Sequence, residues 1–194
     1  MKRSQFGEDA HIRAVLDEIG DGSKVLCDIG ARLTYSNTVH LLEDYGWHGV
    51  LIDRSEQACA DLKHLLNSTV ICEAVTVESV NKLVPAVTSF LSIDVDGPDW
   101  YLFAALGHRV EFVVIETNPL DGFFVAAPPF DKANYGASVE AMVWLGERKG
   151  YDYIGRTAVN AFFVRKDLHC TYRLPPIDRH GGIVPKLPRN ACAS

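Results

Sequence analysis

Two strand-like segments near the end of the chain, Tyr151 to Arg156 and Asn160 to Arg165, are separated by only three residues. That gap admits a hairpin and no helical crossover, so one of the two must run antiparallel to its neighbours. Everything before them alternates between strand and helix. Ile12, Val15, Leu16 and Ile19 recur at helical spacing behind the acidic pair Glu8-Asp9, and Gly20-Asp21-Gly22 ends that pattern. Lys24 to Gly30 then reads as a strand, and Ser36 caps a helix carrying Val39, Leu41, Leu42 and Tyr45. The alternation continues with strand Gly49 to Asp53, helix Ser55 to Leu66, strand Thr69 to Ala74, an ill-defined connection around Val80, and strand Phe90 to Val95. A helix from Asp99 to Leu106, a strand from Phe112 to Glu116 and, after a long loop, a helix from Ala137 to Lys149 complete it. Unbroken apolar strands that each lead into a helix predict a doubly wound, mostly parallel α/β sheet, here closed by an antiparallel hairpin.

Length and charge narrow the partners. One domain over residues 1–173 is expected, followed by a Pro- and Gly-containing tail over 174–194 draped on the surface or ordered by a partner. The formal charge of −6 offers no basic surplus for nucleic acid or anionic lipid, and no apolar run is long enough to span a bilayer. The expectation is a cytoplasmic protein with no nucleic-acid or membrane partner, and homo-oligomer formation is left open. Five cysteines without a CxxC pair indicate neither a disulfide framework nor a zinc site. Cys27, Cys59 and Cys72 read as small core residues, as do Trp47, Trp100 and Trp144.

Ligands of open parallel sheets bind beyond the carboxyl ends of the strands. The polar residues at those ends are Asp28 and Gly30, Asp53, Asp94 and Asp96, and Glu116 and Asn118. Asp28-Ile29-Gly30-Ala31 followed by Asp53 resembles a nucleoside site, in which a glycine admits the cofactor and an acid accepts ribose hydroxyls. Arg32 and Thr34 stand where further glycines are usual, which disfavours a pyrophosphate and suits a phosphate-free cofactor such as S-adenosylmethionine. Asp94-Val95-Asp96-Gly97 is the sharper motif, since strand alternation would point both carboxylates to one side. They could share a divalent cation, Mg2+, with Glu116 and Asn118, or place a base beside a substrate hydroxyl. A DxD glycosyltransferase is a competing reading; an aspartyl-phosphate phosphatase is disfavoured because its motif opens the first strand. The bland alternative has Asp96 capping the helix after Pro98. His11 and His108 are secondary candidates for a base, and the apolar loop Leu120 to Asn134 is a candidate lid.

Several blocks carry a family resemblance: Ser4-Gln5-Phe6-Gly7-Glu8-Asp9, Ser36-Asn37-Thr38, Gly46-Trp47-His48-Gly49-Val50-Leu51-Ile52-Asp53, Leu91 to Gly97, Val114-Ile115-Glu116-Thr117-Asn118-Pro119, Tyr135-Gly136-Ala137-Ser138 and Val159 to Val164. In this order they resemble the FkbM-like methyltransferases over roughly residues 4–168. The resemblance implies a class I methyltransferase, Rossmann-like fold and S-adenosylmethionine-dependent O-methylation of a sugar, glycan or other small molecule. It implies Asp28, Gly30, Ala31, Asp53 and Asp94 at the cofactor. Asp94 and Asp96 are the expected catalytic pair, and Glu116, Asn118 and Tyr135 the expected acceptor contacts. The sequence departs from the family at Leu33 and Thr34, so a cofactor-binding scaffold without activity stays as a third reading.

Overall fold

The computed structural model describes residues 4–131 and 134–177. Its core is one seven-stranded sheet in the order β3-β2-β1-β4-β5-β7-β6. The strands are β1 (Val25–Ile29), β2 (His48–Asp53), β3 (Ser68–Cys72), β4 (Phe90–Ile93), β5 (Phe112–Glu116), β6 (Tyr151–Arg156) and β7 (Asn160–Arg165). The first five are parallel, and β7 inserts antiparallel between β5 and β6. The sheet therefore ends in the hairpin that the three-residue gap requires.

Six helices, α1 (Glu8–Ile19), α2 (Val39–Asp44), α3 (Glu56–Leu62), α4 (Val80–Leu83), α5 (Asp99–Ala105) and α6 (Val139–Arg148), cover the sheet. Alternation along the strands sorts their side chains between two apolar layers. Leu26, Phe90, Phe112 and Phe162 pack with Ile12, Leu16 and Trp47 on one face, while Cys27, Leu91, Val113 and Phe163 pack with Leu102, Phe103 and Met142 on the other. Glu8, fully buried at the start of α1, accepts hydrogen bonds from Phe6 N (2.8 Å), Thr157 Oγ1 (2.7 Å) and Asn160 Nδ2 (3.3 Å). The acidic first turn thus fastens the N-terminal segment to the hairpin.

Several expected boundaries shift for local reasons. The helix expected to reach Leu66 stops at Leu62, because Leu65 N–H turns back to Leu62 O and Asn67, at φ 63°, redirects the chain into β3. The connection around Val80 is the short helix α4. Strand β4 ends at Ile93 instead of Val95, for a reason that belongs to the site below. Cys27 and Cys59 are buried as expected, but Cys72 is exposed because β3 is the sheet's edge. Trp47 is core, whereas Trp144 is 41% exposed beneath the Arg148 guanidinium. Leu174, where the tail was expected to begin, is buried and donates its N–H to Ile154 O at 2.9 Å. Cys192 and most of the expected tail lie outside the described residues. Among the described residues, no helix is long and apolar enough to cross a membrane.

Candidate functional site

Strand β1 hydrogen-bonds to both β2 and β4, and past its end the chain turns away at Gly30, opening a cleft of about 500 Å3 at the carboxyl edge. Gly30 has φ 90°, and a Cβ there would lie 1.6 Å from Asp94 O, so no other residue fits. The turn is held by Gly30 N and Ala31 N, both donating to Ile52 O at 2.8 and 3.0 Å, while Asp94 N donates to Ile29 O at 2.8 Å. Asp28 forms part of the cleft floor. Its Oδ2 accepts from Thr38 Oγ1 at 2.6 Å, and Asn37 Nδ2 donates to Ser92 Oγ at 3.2 Å beside it. Burial pushes the Asp28 carboxyl up to about 6 despite those hydroxyls. Asp53, at the end of β2, is buried with Oδ1 on Ser55 N–H (2.6 Å) and Oδ2 facing Arg32 Nε (3.4 Å). Ala31, expected at the cofactor, is buried behind the turn.

At the other end of the cleft the chain leaves β4 and takes a tight turn. The fully buried Asp99 carboxylate accepts from Val95 N and Gly97 N, each at 2.9 Å. These amides are therefore lost to the sheet, which is why β4 stops at Ile93. Asp96 adopts a left-handed φ of 57°, and no side chain caps α5. The alternative in which Asp96 serves only as the helix cap is thus not met, and Asp99 is the residue that ties the turn. Strand alternation does not operate beyond Ile93. The turn is what brings Asp94 and Asp96 together with Glu116 from β5, one carboxylate oxygen of each lying within 4.8 Å of the others. Phe130 lies over the turn, where a Cβ on Gly97 would come within 2.8 Å of its ring.

The three acids are electrostatically unequal. Burial, then Asp94, Asp99 and Asp96, pushes Glu116 up to about 9, and its Oε2 is buried without a hydrogen-bond partner. Burial, then the neighbouring acids, raises Asp94 to about 7, with Arg32 acting in the opposite sense. Tyr135 is raised by burial, then by Glu116 and Asp96. Asn118 spends its amide on the following loop: Nδ2 donates to Tyr135 O at 3.1 Å and Oδ1 accepts from Leu120 N at 3.0 Å. His11 pairs with Tyr172 and His108 with Asn81 O, and neither lines the cleft. Arg32, Asp99 and Phe130 are the site residues that the sequence did not single out for these roles. The signal for Asp99 was its place directly after Pro98 at a helix start.

Neither a protein-family model nor a curated protein sequence matches the chain. Solved structures do resemble it. A putative hemolysin from Lactococcus lactis matches with a TM-score of 0.55 at 18% identity, over 85% of this chain and 90% of that one. The N-terminal domain of EvdMO1, crystallised in the presence of S-adenosylhomocysteine and D-fucose, matches at 0.51 and 12% identity over 81% and 82%. The pyocyanin biosynthetic protein PhzM matches at 0.50 and 14% identity over 82% of this chain, which spans only 55% of PhzM. At these identities the likeness is one of fold. The chain has the Rossmann-like fold of the class I methyltransferases. In that fold the cleft between Asp53 and Asp94 lies at the reversal of strand order, between β1 and β4.

Proposed function

We propose that this chain is an S-adenosylmethionine-dependent methyltransferase of FkbM-like type, transferring methyl to a hydroxyl oxygen of a sugar, glycan or similar small molecule. The observation that carries the reading is the continuity of one cleft from the buried acid Asp53, past Gly30, to Asp94, with Asp96 and Glu116 converging beside it. The residues fit the cofactor: Asp53 is a ribose acceptor, the missing Cβ of Gly30 allows close approach, and Asp28 with Thr38 forms a polar floor. When bound, S-adenosylmethionine supplies an electrophilic methyl group. Crystallisation of the EvdMO1 domain in the presence of D-fucose accords with a polyhydroxylated acceptor. An acid-lined cleft end disfavours phosphorylated acceptors and nucleic acid.

Removal of the acceptor's hydroxyl proton falls to Asp94, whose carboxyl near 7 is matched to a base working at neutral pH. Glu116, near 9, stays protonated and neutral beside it, so it adds no second negative charge next to the ionised Asp94 that takes the proton. Phe130 lines this end and would shield the reaction from water, and Tyr135, on the loop that leads into α6, is the proposed acceptor contact. The same three carboxylates, with the unpartnered Glu116 Oε2, also fit a hard divalent cation. Asp94, Asp96 and Glu116 would hold it, and it would lower the hydroxyl's pKa in place of a base. Asn118 would join only by releasing Leu120 N–H.

Thermal unfolding with S-adenosylhomocysteine, and separately with a nucleotide sugar plus Mn2+, tests the class. A ligand bound at a hundredfold excess over its Kd should stabilise the protein by about 2.7 kcal/mol. Stabilisation by the nucleotide sugar alone would establish the glycosyltransferase, and no response to either would leave the inactive scaffold. Methyl transfer from labelled S-adenosylmethionine to a panel of monosaccharides then tests the acceptor.

A further inference from the structure

The turn that follows β1 offers a ligand fewer backbone donors than a glycine-rich turn ordinarily does. Its first two amides are spent, Gly30 N and Ala31 N both on Ile52 O. An anionic ligand group in this cleft would also face five carboxylates, and among the described residues the only cations lining it are Arg32 and Arg54. Arg32 is the one on the β1 turn. Its Nε stands 3.4 Å from Asp53 Oδ2, and its side chain lines the cleft while 55% exposed, so the protein does not bury it in one position. The same contact occupies the Asp53 oxygen that ribose hydroxyls would need, since Oδ1 is held by Ser55 N–H.

We propose that Arg32 is the specificity residue for the amino-acid end of the cofactor, exchanging its contact with Asp53 for the α-carboxylate of an S-adenosyl amino acid while the ribose takes Asp53. This rests on the cofactor reading above. A guanidinium suits the task because it pairs with a carboxylate through two parallel N–H donors. It also gives a cleft lined by five carboxylates a partner for the anionic end of a zwitterionic side chain. A nucleoside lacking the amino acid would have to displace Arg32 from Asp53 and would offer it no new partner.

Titration calorimetry with S-adenosylhomocysteine and with 5′-methylthioadenosine, which keeps the nucleoside and lacks the amino acid, tests this without an acceptor. Wild type should prefer S-adenosylhomocysteine by at least about tenfold. Arg32→Ala should weaken that ligand about 10- to 100-fold, the range for a charge-assisted pair. It should leave methylthioadenosine unchanged or a few-fold tighter, because the competitor for Asp53 is gone. Arg54→Ala should keep the wild-type preference. Equal losses for both ligands in Arg32→Ala, or no loss for either, would overturn the proposal, with unfolding curves confirming that the variant is folded. Wild type that binds neither compound would instead overturn the cofactor reading and this inference with it.

Discussion

Replacing Glu116 by Gln isolates what the carboxylate cluster does to the protein. The folded chain holds Glu116 near 9 against an ordinary value of 4.5, mainly by burial and then by Asp94, Asp99 and Asp96. Between those values the folded state keeps a proton that the unfolded state has lost, so each rising pH unit costs the wild type about 1.4 kcal/mol of stability. The stabilising proton is fully present below about 4.5 and is lost as pH rises through 9. Gln is a neutral isostere of the protonated acid and escapes this cost. Glu116→Gln should therefore match wild type near pH 4.5 and exceed it by on the order of 3 kcal/mol at pH 7, with a larger excess at pH 9. Urea unfolding in EDTA at pH 5, 7 and 9 measures the difference directly. A difference that stays flat across this range, or a variant less stable than wild type at pH 9, would refute the argument. Repeating the series in Mg2+ adds a second readout, because a cation bound by the ionised cluster would narrow the gap at high pH.

Three other substitutions probe the remaining parts of the cleft. Asp53→Ala should weaken S-adenosylhomocysteine by about 1.5–3 kcal/mol in calorimetry, and unchanged affinity in a folded variant would remove Asp53 from the site. Asp94→Asn should lower methyl transfer by about 100-fold or more with the fold intact, and retained turnover on the true acceptor would move the reacting centre away from β4. In wild type, EDTA should silence a cation-dependent enzyme and leave a carboxylate-base enzyme working. Gly30→Ala should destabilise by at least about 3 kcal/mol, since the new Cβ strikes the Asp94 carbonyl and the backbone is left-handed; a Tm within a degree of wild type would contradict that geometry.

The fold was legible because its signals are local. Apolar runs followed by helical spacing identify a parallel sheet wherever they occur, and the short gap after Arg156 forces the antiparallel hairpin. The residue types at the strand ends were legible for the same reason. What the sequence could not display is how the chain travels once it leaves a strand. Asp94 and Asp96 were expected to meet through strand alternation, yet they meet through a left-handed turn fixed by Asp99. Cys72 and Trp144 were assigned to the core from their apolar neighbours, but β3 is the sheet's edge and Trp144 lies on the outer side of α6. Edge position depends on strand order, which no single segment carries.

The departure from a glycine-rich pattern after Gly30 has a structural account that bears on function. A glycine is needed where backbone must touch backbone or ligand, and here only Gly30 meets that condition, against Asp94 O. Arg32 and Thr34 are exposed at the cleft, so their side chains extend into space instead of colliding with β4. Gly30 N and Ala31 N are committed to Ile52 O, so these two amides are withdrawn from any anion nest in this turn. On the reading proposed for Arg32, side chains take over polar recognition that backbone amides supply elsewhere. A loop of this kind need not mark a cofactor site in decay; it fits one whose selectivity has moved from amides to a guanidinium, and the pair of ligands that differ only in the amino-acid group separates these two histories.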